Sequence, residues 1–447
     1  MAAFIGSIPG IRRVFYGWWI VAIGVIISIL NGGFYIYGFG VYYVPLLREL
    51  GASRAALGGV IGLARLEGGL IAPVAGWLID RYGPRRLLYF GIFTMGLCFI
   101  LLSRITTLWM LYVVFLLIST ASSFGGGRPI NVAVANWFIR KRSRALGILI
   151  AGIGLGGSTV VIVGWLTETF GWRTAAVIAA LAFWFIGLPL VSLVHHRPEQ
   201  RGLHPDGIPL PVIADVPATP GSREPLEVEL TPRQALSSLS FWLLAVTFAA
   251  WSVTVTVVSV YQIPFLIEEM GAGSVTAATL TSVTLLLSVP GRVIFGWIGD
   301  LVNIRVLFAG TLLVQGIGVL TMSLMPSLEW APLYIVLLGP AYGGSAALRQ
   351  AIVAHFYGRL NFGTISGLLQ FVDLPGTVLG PIFVGWMVDT FGSYRLGIQT
   401  AALFLALGAV ALLIARRPQM PLVQSTPDPH PPVSPQDHSQ DPSQPGR

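Results

Sequence analysis

The chain has 447 residues, of which 54% are hydrophobic and only 10% charged, far below the roughly 25% charge of a soluble domain. A soluble globule is excluded, and the single cysteine, Cys98, excludes an internal disulfide or a cysteine metal cluster. The net charge of +8 would suit a nucleic-acid partner if it were clustered, and its placement along the chain shows that it is not.

Spanning hydrocarbon as a helix takes roughly 20 apolar residues. Such segments run from 17 to 44, 55 to 79, 87 to 103, 108 to 138, 145 to 167 and 173 to 194, then from 239 to 267, 275 to 298, 306 to 325, 331 to 357, 362 to 387 and 396 to 415. Continuous runs of this length predict an all-α membrane protein with twelve transmembrane helices, because a barrel would show alternating segments of about ten residues. The first run follows "IRRVFYGWW", whose Arg12-Arg13 pair resembles an export signal, but the apolar stretch is too long for a signal core and reads as a retained helix.

Of the 27 Lys and Arg residues, 18 fall at the termini and in alternate loops, five in the other loops and four inside the segments. The positive-inside rule then puts both termini in the cytoplasm. The charge orients the chain in the bilayer and requires no nucleic acid.

The segments group by a repeated phrase. "GWLIDRYG" starts at Gly76, "GWLTETFG" at Gly164, "GWIGDLVN" at Gly296 and "GWMVDTFG" at Gly385. Three helices separate the first copy from the second and the third from the fourth, so successive quarters enter the membrane in opposite directions. The halves match at an offset near 220, Ala135-Asn136-Trp137-Phe138 standing against Ala354-His355-Phe356-Tyr357. The expected organisation is a six-helix half over 1–194, a cytoplasmic linker over 195–238, a second six-helix half over 239–417 and a tail over 418–447. The Pro-rich, mixed-charge linker and tail predict no fold.

Two six-helix halves of nested inverted repeats resemble the major facilitator superfamily. "GWLIDRYGPRR" is similar to that superfamily's loop motif between helices 2 and 3, matching at Gly76, Asp80, Arg81, Gly83, Arg85 and Arg86; the second-half copy keeps Gly296 and Asp300. "YGWWIV", "HRPEQRGLHPDG", "GRVIFGWIGD" and "GTISGLLQ" resemble, in that order, the bacterial oxalate/formate antiporter and monocarboxylate porter group. The motif residues are expected to gate the cytoplasmic face, Asp80 accepting from a facing helix amino end and Arg81, Arg85 and Arg86 meeting phosphates or carboxylates.

Six charges lie well within the segments, away from their ends: Arg65, Glu67, Arg128, Arg292, Arg349 and Asp373. Each costs roughly 3 kcal/mol on insertion scales, and four positive against two negative leaves +2, which suits a water-filled cavity that receives an anion. Arg128, Arg292 and Arg349 lie about 9 to 15 Å from their cytoplasmic ends. Guanidinium holds a carboxylate through two hydrogen bonds, and the resemblance places the family's substrate-binding helix-8 arginine on Arg292. Arg65 and Glu67 are two residues apart and cannot face each other, so Glu67 needs another partner.

The resemblance also has departures. Oxalate carriers of the group bear a lysine after "GLL" in helix 11, where this chain has Asp373; the reversed charge predicts that Asp373 shares Arg292 and takes a proton, the alternative being a fixed ion pair. Animal monocarboxylate carriers place a lysine in helix 1, where this chain offers Tyr35, Tyr37, Tyr42 and Tyr43. Tyr37 therefore joins Arg292, Arg349 and Arg128 as a substrate-binding candidate, and Asp373 and Glu67 are the proton-coupling candidates. His355 reads as a helix-end cap.

The expected function is secondary active transport of small organic anions, monocarboxylates foremost, by alternating access with proton symport or anion exchange. The alternatives are a proton-coupled drug exporter, against which the arginines and "GLGGS" in helix 5 argue, or a transporter-like membrane sensor. Neither a nucleotide-binding loop nor a catalytic constellation appears, so no enzyme activity, cofactor or metal is expected. The expected partners are a small carboxylate, protons and lipid, and the expected form is a multi-pass monomer in the plasma membrane, or the inner membrane of a Gram-negative cell.

Overall fold

The computed structural model describes residues 15–51, 54–207 and 229–418. Arg12 and Arg13, the middle of the linker and nearly all of the tail lie outside them. Among the described residues twelve helices are long and apolar enough to cross a membrane. The first six are α1 (Tyr16–Tyr43), α2 (Ala56–Tyr82), α3 (Pro84–Leu102), α4 (Leu108–Trp137), α5 (Arg142–Phe170) and α6 (Trp172–Ser192). The second six are α7 (Leu239–Glu268), α8 (Ser274–Ile298), α9 (Ile304–Leu324), α10 (Leu328–Tyr357), α11 (Phe362–Phe391) and α12 (Tyr394–Ile414).

The repeated phrase turns out to be a helix end. α2 and α5 run past the apolar segments to Tyr82 and Phe170, and stop at the phrase's last glycine. Gly83 and Gly171 have φ of 84° and 83°, a left-handed conformation that glycine adopts without steric cost. The third copy ends in Asn303, which lacks that turn and instead caps α9 through its side chain, accepting from Arg305 N at 3.0 Å.

The first glycine of each copy shows which face is closed. A Cβ on Gly76 would lie 2.1 Å from Gly363 O of α11, and one on Gly296 2.7 Å from Ser143 O of α5, so both permit backbone contact between the halves. Gly164 has nothing within 4 Å, and Gly385 meets only Tyr261 of its own half. The chain is therefore packed shut on the face that carries residues 195–207 and 229–238, here called the linker face. Hydrogen bonds between the halves lie at or on the linker side of Arg128 and Arg292. On the opposite face Glu49 pairs with Arg173, and Glu269 with Arg395, each within one half.

Gly152 and Gly156 of α5 pack on α1, and Gly376 and Gly380 of α11 pack on α7, all within one half. The between-half approaches use Gly147, Gly154 and Gly296 on the α5–α8 side and Gly76, Gly363 and Gly367 on the α2–α11 side.

The linker ends, expected to be unstructured, are ordered by capping. Short turns span Pro198–Arg201 and Pro205–Gly207, and a helix spans Pro232–Ser237 with Thr231 and Gln234 forming a reciprocal cap. Asp206 accepts from Ile139 N and Arg140 N at 2.9 and 2.8 Å, and Glu229 accepts from Arg359 N and Leu360 N at 3.3 and 2.9 Å. The same loop in each half thus has its free backbone donors satisfied by a linker carboxylate.

Candidate functional site

α4 is interrupted where the chain reads "GGGRPIN". It is helical over Leu108–Gly125 and again over Gly127–Trp137, with Gly126 at φ −108° and ψ −147°. Two causes coincide: a Cβ on Gly125 would lie 2.6 Å from Gly91 C of α3, and Pro129 has no N–H to continue the ladder. The break places Arg128 in the first turn of the second piece, where its side chain reaches both halves. Nε donates to Gln370 Oε1 of α11 at 3.2 Å, and Nη2 to Gly68 O of α2 at 3.0 Å. Nη1 is buried and has no partner.

Facing it, Arg349 of α10 forms an ion pair with Asp373 of α11, the two side chains being 14% and 4% exposed. Ser252 of α7 also donates to Asp373, at 3.1 Å. The Arg349 guanidinium carbon lies 4.5 Å from the Phe248 ring centroid and 4.7 Å from that of Trp251, so aromatic faces hold the cation in place. Trp251 is fixed in turn by its indole N–H, which donates to Ser345 Oγ at 2.8 Å. Arg349 Nε, like Arg128 Nη1, is a buried donor without a partner.

Between the two arginines and the closed Gly76–Gly363 contact is a cavity of about 160 Å³. Its polar lining comes from Arg128, Asn131, Arg349, Gln350, Ser366 and Gln370. Two of the predicted binding residues, Arg128 and Arg349, therefore meet at one cavity although they belong to different halves. Gln370, Gln350 and Asn131 were not anticipated as site residues; the signal was present in "GLLQ", a neutral amide inside an apolar run.

Arg292 stands apart, which corrects the expected Arg292–Asp373 pair. It is 6% exposed and lies in the α5–α8 contact, donating from Nη1 to Ile150 O at 3.2 Å. Gly154 makes room, since a Cβ there would sit 2.5 Å from Arg292 Nη1. Arg292 turns toward the other half while Asp373 faces α10 and α7. Tyr37, half-buried after the wide turn Gly32–Ile36 in α1, lies with Arg292 and Arg65 within electrostatic reach of Tyr342. These residues form a second group, separate from the cavity lining.

The gating residues divide. Asp80 accepts from Gly363 N, Thr364 N and Thr364 Oγ1 at 3.0, 2.6 and 2.7 Å, at the amino end of α11. Asp300 does the same at the amino end of α5, accepting from Ser143 N and Arg144 N at 2.8 and 3.2 Å. Each carboxylate crosses between the halves and meets the positive end of a helix. Arg81, Arg85 and Arg86 meet no carboxylate among the described residues and all three are exposed. Arg81 stacks over Trp77 at 5.2 Å and Arg85 over Tyr89 at 6.0 Å. His355 lies in the last turn of α10.

The family model described as Major Facilitator Superfamily matches residues 21–341 and 243–442. The chain belongs to the Major Facilitator Superfamily. Within it, the chain is 28% identical over 415 residues to Monocarboxylate transporter 13 of Bos taurus, covering 89% of each. It is 23% identical over 409 residues to Monocarboxylate transporter 12-B of Danio rerio, covering 88% of this chain and 84% of that one. Among solved structures it is similar to the E. coli fucose:proton symporter, with a TM-score of 0.67 at 14% identity over 90% of this chain and 98% of that one. The superfamily's members are transporters, and this chain is a transporter rather than an enzyme.

The closed face is expected to depend on pH through Asp300. Burial pushes its carboxyl up to about 6, against the downward pull of the Arg144 and Ser143 N–H groups. A carboxyl whose pKa is raised in the closed state binds its proton more tightly there than when solvated. The closed state is therefore favoured at low pH, and that advantage is lost as pH rises through about 6. Spin labels at Arg86→Cys and Leu301→Cys, in a Cys98→Ser background, are expected to show a larger closed fraction at about pH 5 than at about pH 7.5. An unchanged distance distribution, or one that opens on acidification, would refute this.

Proposed function

We propose that the chain is a secondary active transporter of small organic anions, monocarboxylates foremost, working by alternating access. The observation that carries this is the pair of buried guanidinium groups, Arg128 from one half and Arg349 from the other, each with an N–H lacking a partner beside one small polar cavity. A carboxylate has two oxygens with acceptor capacity for both donors, and the amides of Gln350, Gln370 and Asn131 suit the rest of a small polar substrate. The names of the monocarboxylate transporters similar to this chain support the same class.

Arg292 and Tyr37, both within electrostatic reach of Tyr342, guide anions toward the cavity. Asp80 and Asp300 hold the linker face shut while the opposite face admits substrate. With the linker face cytoplasmic, as the basic loops indicate, the described state is the one closed toward the cytoplasm. Coupling is by proton symport or by exchange of one anion for another, with Asp373 and Glu67 as the carboxylates available to a proton.

Uptake into proteoliposomes against a panel of mono- and dicarboxylates, each with and without a pH gradient, tests this reading. Saturable uptake of one or more monocarboxylates, with mutual competition and no competition from lipophilic cations, is the expected result. Transport of lipophilic cations without any carboxylate uptake would replace it with the exporter reading.

A further inference from the structure

We propose that Glu67, rather than Asp373, carries the proton that admits a monocarboxylate to the cavity. The inference rests on the organic-anion reading and assigns one of its two candidate carboxylates.

The charge count around the cavity sets the requirement. Arg128 lies within electrostatic reach of both Glu67 and Asp373, and Arg349 is paired with Asp373. Two guanidinium groups and two carboxylates sum to zero, so the empty cluster has no net attraction for an anion. One added proton leaves +1, the charge that a single monocarboxylate neutralises.

Geometry decides which carboxylate takes it. Asp373 has a guanidinium partner and a hydroxyl donor, Ser252. Protonating a carboxylate so paired would strand the buried charge of Arg349. Glu67 of α2 has neither advantage. Its one partner is the hydroxyl of Thr120 in α4, at 2.6 Å from Oε1, and its Oε2 is buried without any. The other charged or titratable groups near it are Tyr35 of α1, Arg65 of its own helix and Arg128. Arg65 is exposed, and Arg128 is committed to Gln370 and Gly68.

The Thr120 hydroxyl supplies a second, independent argument. It lies 2.6 Å from Glu67 Oε1 and 3.0 Å from Leu116 O of its own helix, yet a hydroxyl has one hydrogen to donate. With Glu67 ionised, the hydroxyl serves the carboxylate and the Leu116 contact carries no hydrogen, that carbonyl keeping only its helical bond from Thr120 N. With Glu67 protonated, its O–H donates to Thr120 Oγ and Thr120 donates to Leu116 O, so every contact has its hydrogen. The described state, closed at the linker face, is the one in which a proton on Glu67 satisfies this chain of bonds.

In the resulting cycle a proton from the open side binds a carboxylate oxygen of Glu67. Arg128 and Arg349 then receive the substrate carboxylate, and the complex crosses with no net charge. On the linker side the substrate leaves, and Glu67 returns its proton to water as the cluster goes back to zero. No bond other than O–H is made or broken.

The test is the wild-type chain and Glu67→Gln in proteoliposomes, reading carboxylate exchange at equal pH and accumulation under a pH gradient. Exchange of a monocarboxylate by the wild-type chain tests the anion reading itself; its absence ends that reading whatever Glu67 does. Given exchange, the wild-type accumulation ratio is expected to rise about tenfold per pH unit. Glu67→Gln is expected to keep exchange and hold that ratio at one. Gradient-driven accumulation persisting in Glu67→Gln overturns the proposal, as does loss of exchange together with accumulation in folded protein, which would make Glu67 part of the binding site. Difference infrared spectra on the wild-type chain give a measurement that no variant's folding affects. A protonated-carboxyl band that disappears when substrate is released at high pH, and that folded Asp373→Asn keeps while folded Glu67→Gln lacks it, supports the proposal; its absence from the wild-type chain, or its loss in Asp373→Asn alone, overturns it. Glu67→Asp is expected to restore accumulation with a displaced pH profile.

Discussion

Arg349→Gln is expected to abolish carboxylate transport and to destabilise the protein severely, and adding Asp373→Asn to it is expected to restore the stability while leaving transport absent. The single change strands a carboxylate that is 4% exposed and has only Ser252 left as a partner. Removing one member of a buried ion pair costs about 3–5 kcal/mol, whereas replacing both members is close to neutral. Denaturation curves in detergent give the stability half of this cycle, and exchange in proteoliposomes gives the other. The two readouts separate the roles of the arginine. If Arg349 only neutralises Asp373, the double variant regains transport along with stability; if it also holds substrate through its unpartnered Nε, transport stays lost. The aromatic faces of Phe248 and Trp251 make Arg349→Lys informative as well. An ammonium can keep the charge against Asp373, but it cannot present a planar fork between those rings, so Arg349→Lys should retain most stability and lose substrate affinity.

The architecture was legible because hydrocarbon imposes a length on every helix, and the four glycine phrases mark where successive quarters end. Helix ends were read short at Tyr82 and Phe170; the turning glycine, rather than the last apolar residue, sets the stop. The site was legible in part. Arg128 and Arg349 announce themselves as costly charges inside apolar runs, and both line the cavity. Depth along a helix does not say which way a side chain faces, however. The resemblance sets Asp373 where oxalate carriers have a lysine beside the helix-8 arginine and so pairs it with Arg292, whereas the structure pairs it with Arg349 because Arg292 turns into the α5–α8 contact. Gln370, which joins the halves through Arg128, is neutral and so raises no comparable alarm in sequence. The break in α4 could have been read from three glycines and a proline, but its purpose, placing Arg128 between the halves, needed the position of α11.

Replacing Asp80 and Asp300 together with alanine is expected to open the linker face. Between them the two carboxylates accept five hydrogen bonds from the opposite half, four from backbone N–H groups at the amino ends of α11 and α5 and one from the Thr364 hydroxyl. In the closed state the alanine variants leave these donors buried without acceptors, while in the open state water satisfies them. Hydrogen bonds to charged groups contribute roughly 1.5–3 kcal/mol each before the cost of burying the carboxylates is subtracted. A net shift on the order of 3 kcal/mol, about 100-fold in the closed-to-open equilibrium, is the expected outcome. Asparagine is the weaker test, since its side-chain oxygen still accepts one of these bonds. The chain's only cysteine, Cys98, is buried in α3, so Cys98→Ser provides a clean background for a reporter. Ser366→Cys lines the cavity directly above the Gly76–Gly363 contact, where a membrane-impermeant thiol reagent applied to the linker face meets it only after that contact parts. Its labelling rate should rise about 100-fold in the double alanine variant, while substrate binding to detergent-solubilised protein persists because Arg128 and Arg349 are intact. An unchanged labelling rate would mean that the glycine contacts of α2 with α11 and of α5 with α8 hold the face shut by packing alone, and that the two aspartates act elsewhere in the cycle.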